Sequence, residues 1–120
     1  MKNSHSITYL NFHMCWSFYR RRQCKLDEKD FIKLRLLFMH FGCSDIVIGY
    51  DPIKKDHVHI HFEMHPSRSI TNLCSSIKCN FSKFLSDKYG DAWPGFSASY
   101  WCQSVSGSRI SSVKKYLENQ

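Results

Sequence analysis

The 120-residue chain is long enough for one buried core and too short for two, and its 42% hydrophobic and 15% aromatic content excludes a disordered tail or a low-complexity linker. Seventeen Lys and Arg against ten Asp and Glu give a net charge of +7, which favours a polyanionic partner, because clustered cations replace counterions condensed on a phosphate backbone. No run of about 18 apolar residues occurs and the start lacks a signal peptide's apolar stretch, so a soluble, cytoplasmic, single-domain protein over residues 1–120, with no membrane partner, is expected.

Over residues 6–18 the apolar side chains Leu10, Phe12, Met14, Trp16 and Phe18 fall on even positions and Asn11 and His13 on odd ones, the period of a half-buried strand. Tyr19, Arg20, Arg21, Arg22 and Gln23 then form a polar hook. Asp27 is placed to cap a helix whose Phe31, Leu34, Phe38 and Phe41 recur at helical spacing, and Gly42 ends it. A short strand is predicted over 46–50, a turn at Asp51 and Pro52, and a third strand over 56–64, the last two strands pairing as a hairpin. Beyond His65, Pro66 and Ser67, the residues Ile70, Leu73, Ile77, Phe81 and Phe84 predict a second helix that stops near Gly90. Residues 91–97, with Trp93, Pro94 and Gly95, read as a loop, and 99–105 as a fourth strand. Gly107 and Ser108 open a last helix with Ile110, Val113 and Leu117 as its buried stripe. The order β-α-β-β-α-β-α predicts an α+β fold: a ferredoxin-like antiparallel sheet with helices on one face and a C-terminal helix added.

The third strand contains the most chemistry. His57, His59 and His61 alternate with Val58, Ile60 and Phe62, so the three imidazoles share one face, and two imidazoles on one strand can hold one divalent ion. A solvated histidine face is the plainer reading of the same pattern. On the last helix Ser112, Tyr116 and Gln120 lie four apart, on a face distinct from the apolar stripe. A tyrosine hydroxyl is a weak nucleophile, but attack on a phosphodiester becomes feasible beside an ion that neutralises the phosphate oxygens. A pair of histidines with an amide oxygen supplies neutral ligands and leaves positions open for that phosphate. Arg20, Arg21, Arg22 and Lys25 form a basic cluster suited to DNA phosphates, solvated turn charges being the alternative. His13 falls on the polar face of the first strand, where a hydrogen-bonded structural histidine is the simpler reading, and Trp101 or Tyr100 is placed to stack a base. The six cysteines form no C-x-x-C pair and are expected to be reduced and mostly buried.

Asp56-His57-Val58-His59, residues 113–120 with Tyr116 and Gln120, the opening stretch 9–16 with Tyr19-Arg20-Arg21, and the stretch 99–105 together resemble the HUH-type single-tyrosine transposases of the insertion-sequence 200/605 family. The resemblance spans nearly the whole chain. It implies a metal-dependent transposase acting on single-stranded DNA, with His57, His59 and Gln120 as ligands of Mg2+ or Mn2+ and Tyr116 as the nucleophile that forms a 5′-phosphotyrosine link. It further implies a homodimer that recognises hairpins at element ends and uses no nucleotide cofactor.

His61 stands where that family usually has an aliphatic residue, which leaves a His59 and His61 register open; Asp56 before His57 agrees with the family and favours the His57 and His59 pair. Three other readings remain at this stage: a domesticated relative acting on repeat hairpins, a non-catalytic nucleic-acid-binding module on the same sheet, and a zinc protein using His57, His59 and a cysteine.

Overall fold

A computed structural model describes residues 9–98 and 100–105. Strand β1 (Leu10–Ser17) leads through a 3-10 turn (Tyr19–Arg21) to helix α1 (Glu28–His40), then to the hairpin of β2 (Ser44–Tyr50) and β3 (His57–Met64). Helix α2 (Ile70–Tyr89), a second 3-10 turn (Gly90–Ala92) and strand β4 (Trp101–Ser104) follow. The four strands form one antiparallel sheet in the order β2-β3-β1-β4, the ferredoxin-like arrangement predicted from the element order. The predicted last helix with Ile110, Val113 and Leu117 lies outside the described residues, as do Tyr116 and Gln120.

Local sequence explains the boundaries. The Asp27 side chain accepts from the Asp30 backbone and the Asp30 side chain from the Asp27 backbone, a reciprocal capping box that satisfies donors at the start of α1. At the other end Cys43 N–H donates to Phe38 O and Gly42 N–H to Met39 O, both at 3.0 Å, the paired bonds of a Schellman motif. That motif needs a left-handed residue, and Gly42 supplies it at φ +85°. Ser69 caps α2 by accepting from Asn72 N–H, and α2 ends at Gly90. Strand β2 starts two residues before the predicted position, at Ser44. An irregular register between Ser44 and Val47, with Asp45 at φ 55°, lets the chain leave the helix cap and still join the ladder, a shift that alternation alone does not reveal.

Register assigns the faces. Met14, Trp16, Val58, Ile60 and Phe62 are wholly buried and meet Leu34 and Phe38 of α1 and Leu73, Ile77, Phe81 and Leu85 of α2, so both helices cover one face. Phe38 is the hinge of this packing, with Trp16 stacked on it at 5.8 Å and Phe62 tilted against it at 4.9 Å between ring centroids. The predicted loop around Trp93 has a structural role. Trp93 is buried, meets Phe18 and Phe96 edge-on at 4.9 Å each, and donates its indole N–H to Ser82 Oγ, closing the core where β1 leaves the sheet. The cysteines are all free, but only Cys24, Cys43 and Cys74 are buried; Cys15 and Cys102 are partly exposed and Cys79 is exposed, because Cys15 sits on the sheet face away from the helices and Cys79 on the outer side of α2.

Candidate active site

The ladder that places the apolar residues against the helices places the histidines on the opposite face. Across the β1 and β3 pairing, His13 stands opposite His61, Cys15 opposite His59 and Ser17 opposite His57. Opposite His59 on β2 is Gly49, so no β2 side chain stands beside that ring. The His57 and His59 rings approach to 4.8 Å between centroids and are nearly perpendicular at 88°. His59 Nδ1 lies 3.1 Å from His13 Nε2, a contact between adjacent strands.

His57 is held from its other side. Its Nδ1 lies 2.7 Å from Asp56 Oδ1, and because an ionised carboxylate only accepts, Nδ1 carries the proton and Nε2 the lone pair. Asp56 in turn accepts from Arg21 Nε at 3.0 Å. Partial burial opposes its ionisation, but the bonds from His57 and Arg21 outweigh this and hold the carboxyl below its usual range. A ligand-type histidine with a carboxylate on its second nitrogen is the arrangement that fixes ring orientation around a metal. His59 is neutral at physiological pH: burial, with the neighbouring imidazoles of His57 and His13, lowers its pKa from 6.5 to about 4. Two imidazoles side by side are a suitable donor pair for a divalent ion.

His61 belongs to the same face but to a different environment. It is wholly buried, and its Nε2 lies 3.2 Å from Asn11 Oδ1. In the ladder His61 stands between His13 of β1 and Val47 of β2, whereas His57 and His59 adjoin the Asp56 end of the strand. Among the described residues no three His, Cys, Asp or Glu side chains converge into a metal cage.

The basic hook docks against the start of β3. Phe18 N–H donates to Asp56 O at 2.8 Å, Cys24 N–H to Lys55 O at 2.9 Å and the Gln23 side chain to Lys54 O at 2.9 Å. Arg20 and Arg21 both sit in left-handed backbone, at φ 53° and 56°, a strained turn that the docked backbone bonds hold in place. Arg20, Arg21, Arg22 and Lys25 are all exposed, and Arg20 lies over the Tyr19 ring at 5.2 Å. Of the predicted DNA-binding cluster one member, Arg21, is bonded to Asp56. Trp101 is half-exposed on the histidine face, its ring edge-on to His13 at 5.2 Å. Sequence reading left Arg21 without a role toward Asp56, and for His13 it preferred a structural histidine to one beside the metal strand. The alternation of β1 marked the face of His13, but only the strand pairing marks its neighbour.

The family described as "Transposase IS200 like" matches residues 6–120. The chain belongs to the IS200-like transposase family. Among solved structures, this family member is similar to a candidate transposase from Deinococcus radiodurans R1, with 22% identity, a TM-score of 0.73, and coverage of 100% of this chain and 97% of that one. It is also similar to a REP-associated tyrosine transposase bound to a REP hairpin, with 11% identity, a TM-score of 0.63, and coverage of 98% of this chain and 70% of that one. At those identities the likeness establishes the fold. No curated protein matches the chain. No helix among the described residues of this IS200-like transposase is long and apolar enough to cross a membrane.

Proposed function

We propose that this IS200-like transposase is a metal-dependent enzyme, working as a homodimer in the cytoplasm, that cleaves and rejoins single-stranded DNA through a 5′-phosphotyrosine intermediate. The observation that carries the reading is the His57 and His59 pair, adjacent on one sheet face, with His57 Nδ1 held by Asp56 and His59 neutral. His57, His59 and Gln120 would hold Mg2+ or Mn2+. When bound, such an ion would supply charge neutralisation of the scissile phosphate and orient its leaving oxygen. The hydroxyl oxygen of Tyr116 attacks phosphorus; the bond from phosphorus to the 3′ oxygen breaks as the tyrosine ester forms, and the tyrosine proton ends on the released 3′-hydroxyl. Rejoining is the reverse, with a 3′-hydroxyl from another strand. One phosphodiester is exchanged for another, so no nucleotide cofactor is required.

The exposed Arg20, Arg22 and Lys25 belong to the segment whose Phe18, Gln23 and Cys24 dock against residues 54–56, and they are suited to contact backbone phosphates. A hairpin is the natural partner form on this reading, as it is in the REP-associated relative's complex. The test mixes the protein with Mg2+ or Mn2+ and oligonucleotides from the flanks of its gene, and seeks a covalent adduct on a denaturing gel. An adduct is expected that chelator, Tyr116→Phe and His57→Ala each abolish and His61→Ala retains. An adduct that persists in Tyr116→Phe would refute the nucleophile. Hairpin binding without any adduct would point to a non-catalytic relative.

A further inference from the structure

The histidine face contains one more imidazole than the proposed ligand set uses. His13 is on β1, in the middle of the sheet, with β3 on one side and β4 on the other, so its backbone is fixed by ladders in both directions. Its Nε2 lies 3.1 Å from Nδ1 of His59, its ring is 5.2 Å from that of His59, and the edge contact with Trp101 supports its far side. The proton between the two nitrogens decides what His59 can do. If it resides on His13, then His59 accepts at Nδ1, carries its own hydrogen on Nε2, and has no lone pair there. If it resides on His59 Nδ1, then His13 accepts, and His59 presents an Nε2 lone pair as His57 does through Asp56.

We infer that His13 is a positioning residue for the metal site: it accepts the His59 Nδ1 hydrogen, fixes that tautomer and ring orientation, and so matches the Asp56 contact on His57. This inference rests on His57 and His59 being the ligand pair. The two ligands are thus oriented by different chemistry, one by a carboxylate from the residue just before its strand and the other by an imidazole from the neighbouring strand. Cross-strand support of this kind couples the site to the sheet register, since a slip of one residue in β1 would remove His13 from the face altogether. The geometry does not make His13 a third ligand, because no convergent metal cage is found among the described residues.

The experiment has a metal-free arm and a metal arm. Two-dimensional 1H–15N spectra of the imidazoles in the metal-free protein should show His59 with its hydrogen on Nδ1; hydrogen on Nε2 would overturn the inference whether or not the protein binds metal. Mn2+ titration then compares wild type with His13→Phe, which keeps the ring volume and the Trp101 contact but has no acceptor, and with His13→Gln, whose amide oxygen can accept. His13→Phe should weaken Mn2+ binding by about 10- to 100-fold, and His13→Gln should restore most of it, at unchanged melting temperature for both. Wild-type affinity in His13→Phe, or equal weakness in both variants, would overturn the role of His13. Wild-type affinity in His57→Ala would instead overturn the ligand pair on which the inference depends.

Discussion

Replacing Asp56 by alanine separates orientation of the metal site from stability of the fold. The carboxylate makes two contacts, to His57 Nδ1 at 2.7 Å and to Arg21 Nε at 3.0 Å. The second is to a side chain that is 57% exposed, and an exposed ion pair contributes about 1 kcal/mol or less. Loss of the first frees the His57 ring to rotate and to exchange tautomers, and removal of such a partner typically costs about 10- to 100-fold in metal affinity, or about 1.4 to 2.7 kcal/mol. Asp56→Ala should therefore unfold in urea within about 1 kcal/mol of wild type while its Mn2+ affinity falls by at least tenfold. Arg21→Ala, which leaves the bond from Asp56 to His57 in place, should remain within about threefold of wild type in the same titration. Calorimetric or electron-paramagnetic titration reads both variants. Asp56→Ala with undiminished affinity, beside a His57→Ala that no longer binds, would refute the argument that the carboxylate orients the ligand.

Three further outcomes are expected. Because burial keeps His59 neutral in the folded state, with a pKa of about 4 against 6.5, the unfolded chain binds the extra proton in that interval. Metal-free stability should fall as pH drops from about 6.5 toward 4, by at most about 3 kcal/mol and less after solvent screening. Asp27, Asp51 and Asp56, all held below the usual carboxylate range, lose their contribution as pH falls further, so the two effects have the same sign, and urea melts across pH measure both. Arg20→Ala with Arg22→Ala should lower the slope of log affinity against log salt for single-stranded DNA by up to about two, leaving Mn2+ binding unchanged; an unaltered slope would mean that the hook does not meet phosphates. Phe81→Ala, at a wholly buried site that meets Phe84 and Phe96, should destabilise by about 3 to 5 kcal/mol in urea denaturation.

The element order and the faces of β1 and β3 were legible because side-chain period is a local property. Alternation in 10–17 and 57–64 tells which residues share a side, whatever the strands pair with. The caps Asp27 and Gly42 are local for the same reason, although the bulge at the start of β2 is not. Within the site, the tie from Asp56 to His57 joins chain neighbours, but the hold of Arg21 on Asp56 spans α1 and β2.

What the amino-acid sequence determined by itself is the set of imidazoles on one face of β3 and the family to which the motif pointed. Only the tertiary structure decided which of them have partners and of what kind. His61 is wholly buried with Asn11 beside its ring, His57 is anchored through Asp56 and Arg21, and His59 meets His13, 46 residues away in the chain. The physical reason is that a strand's period fixes the side of a residue without regard to its neighbours. The identity of those neighbours depends on register between strands, which is set by burying Met14, Trp16, Ile60 and Phe62 together against the two helices.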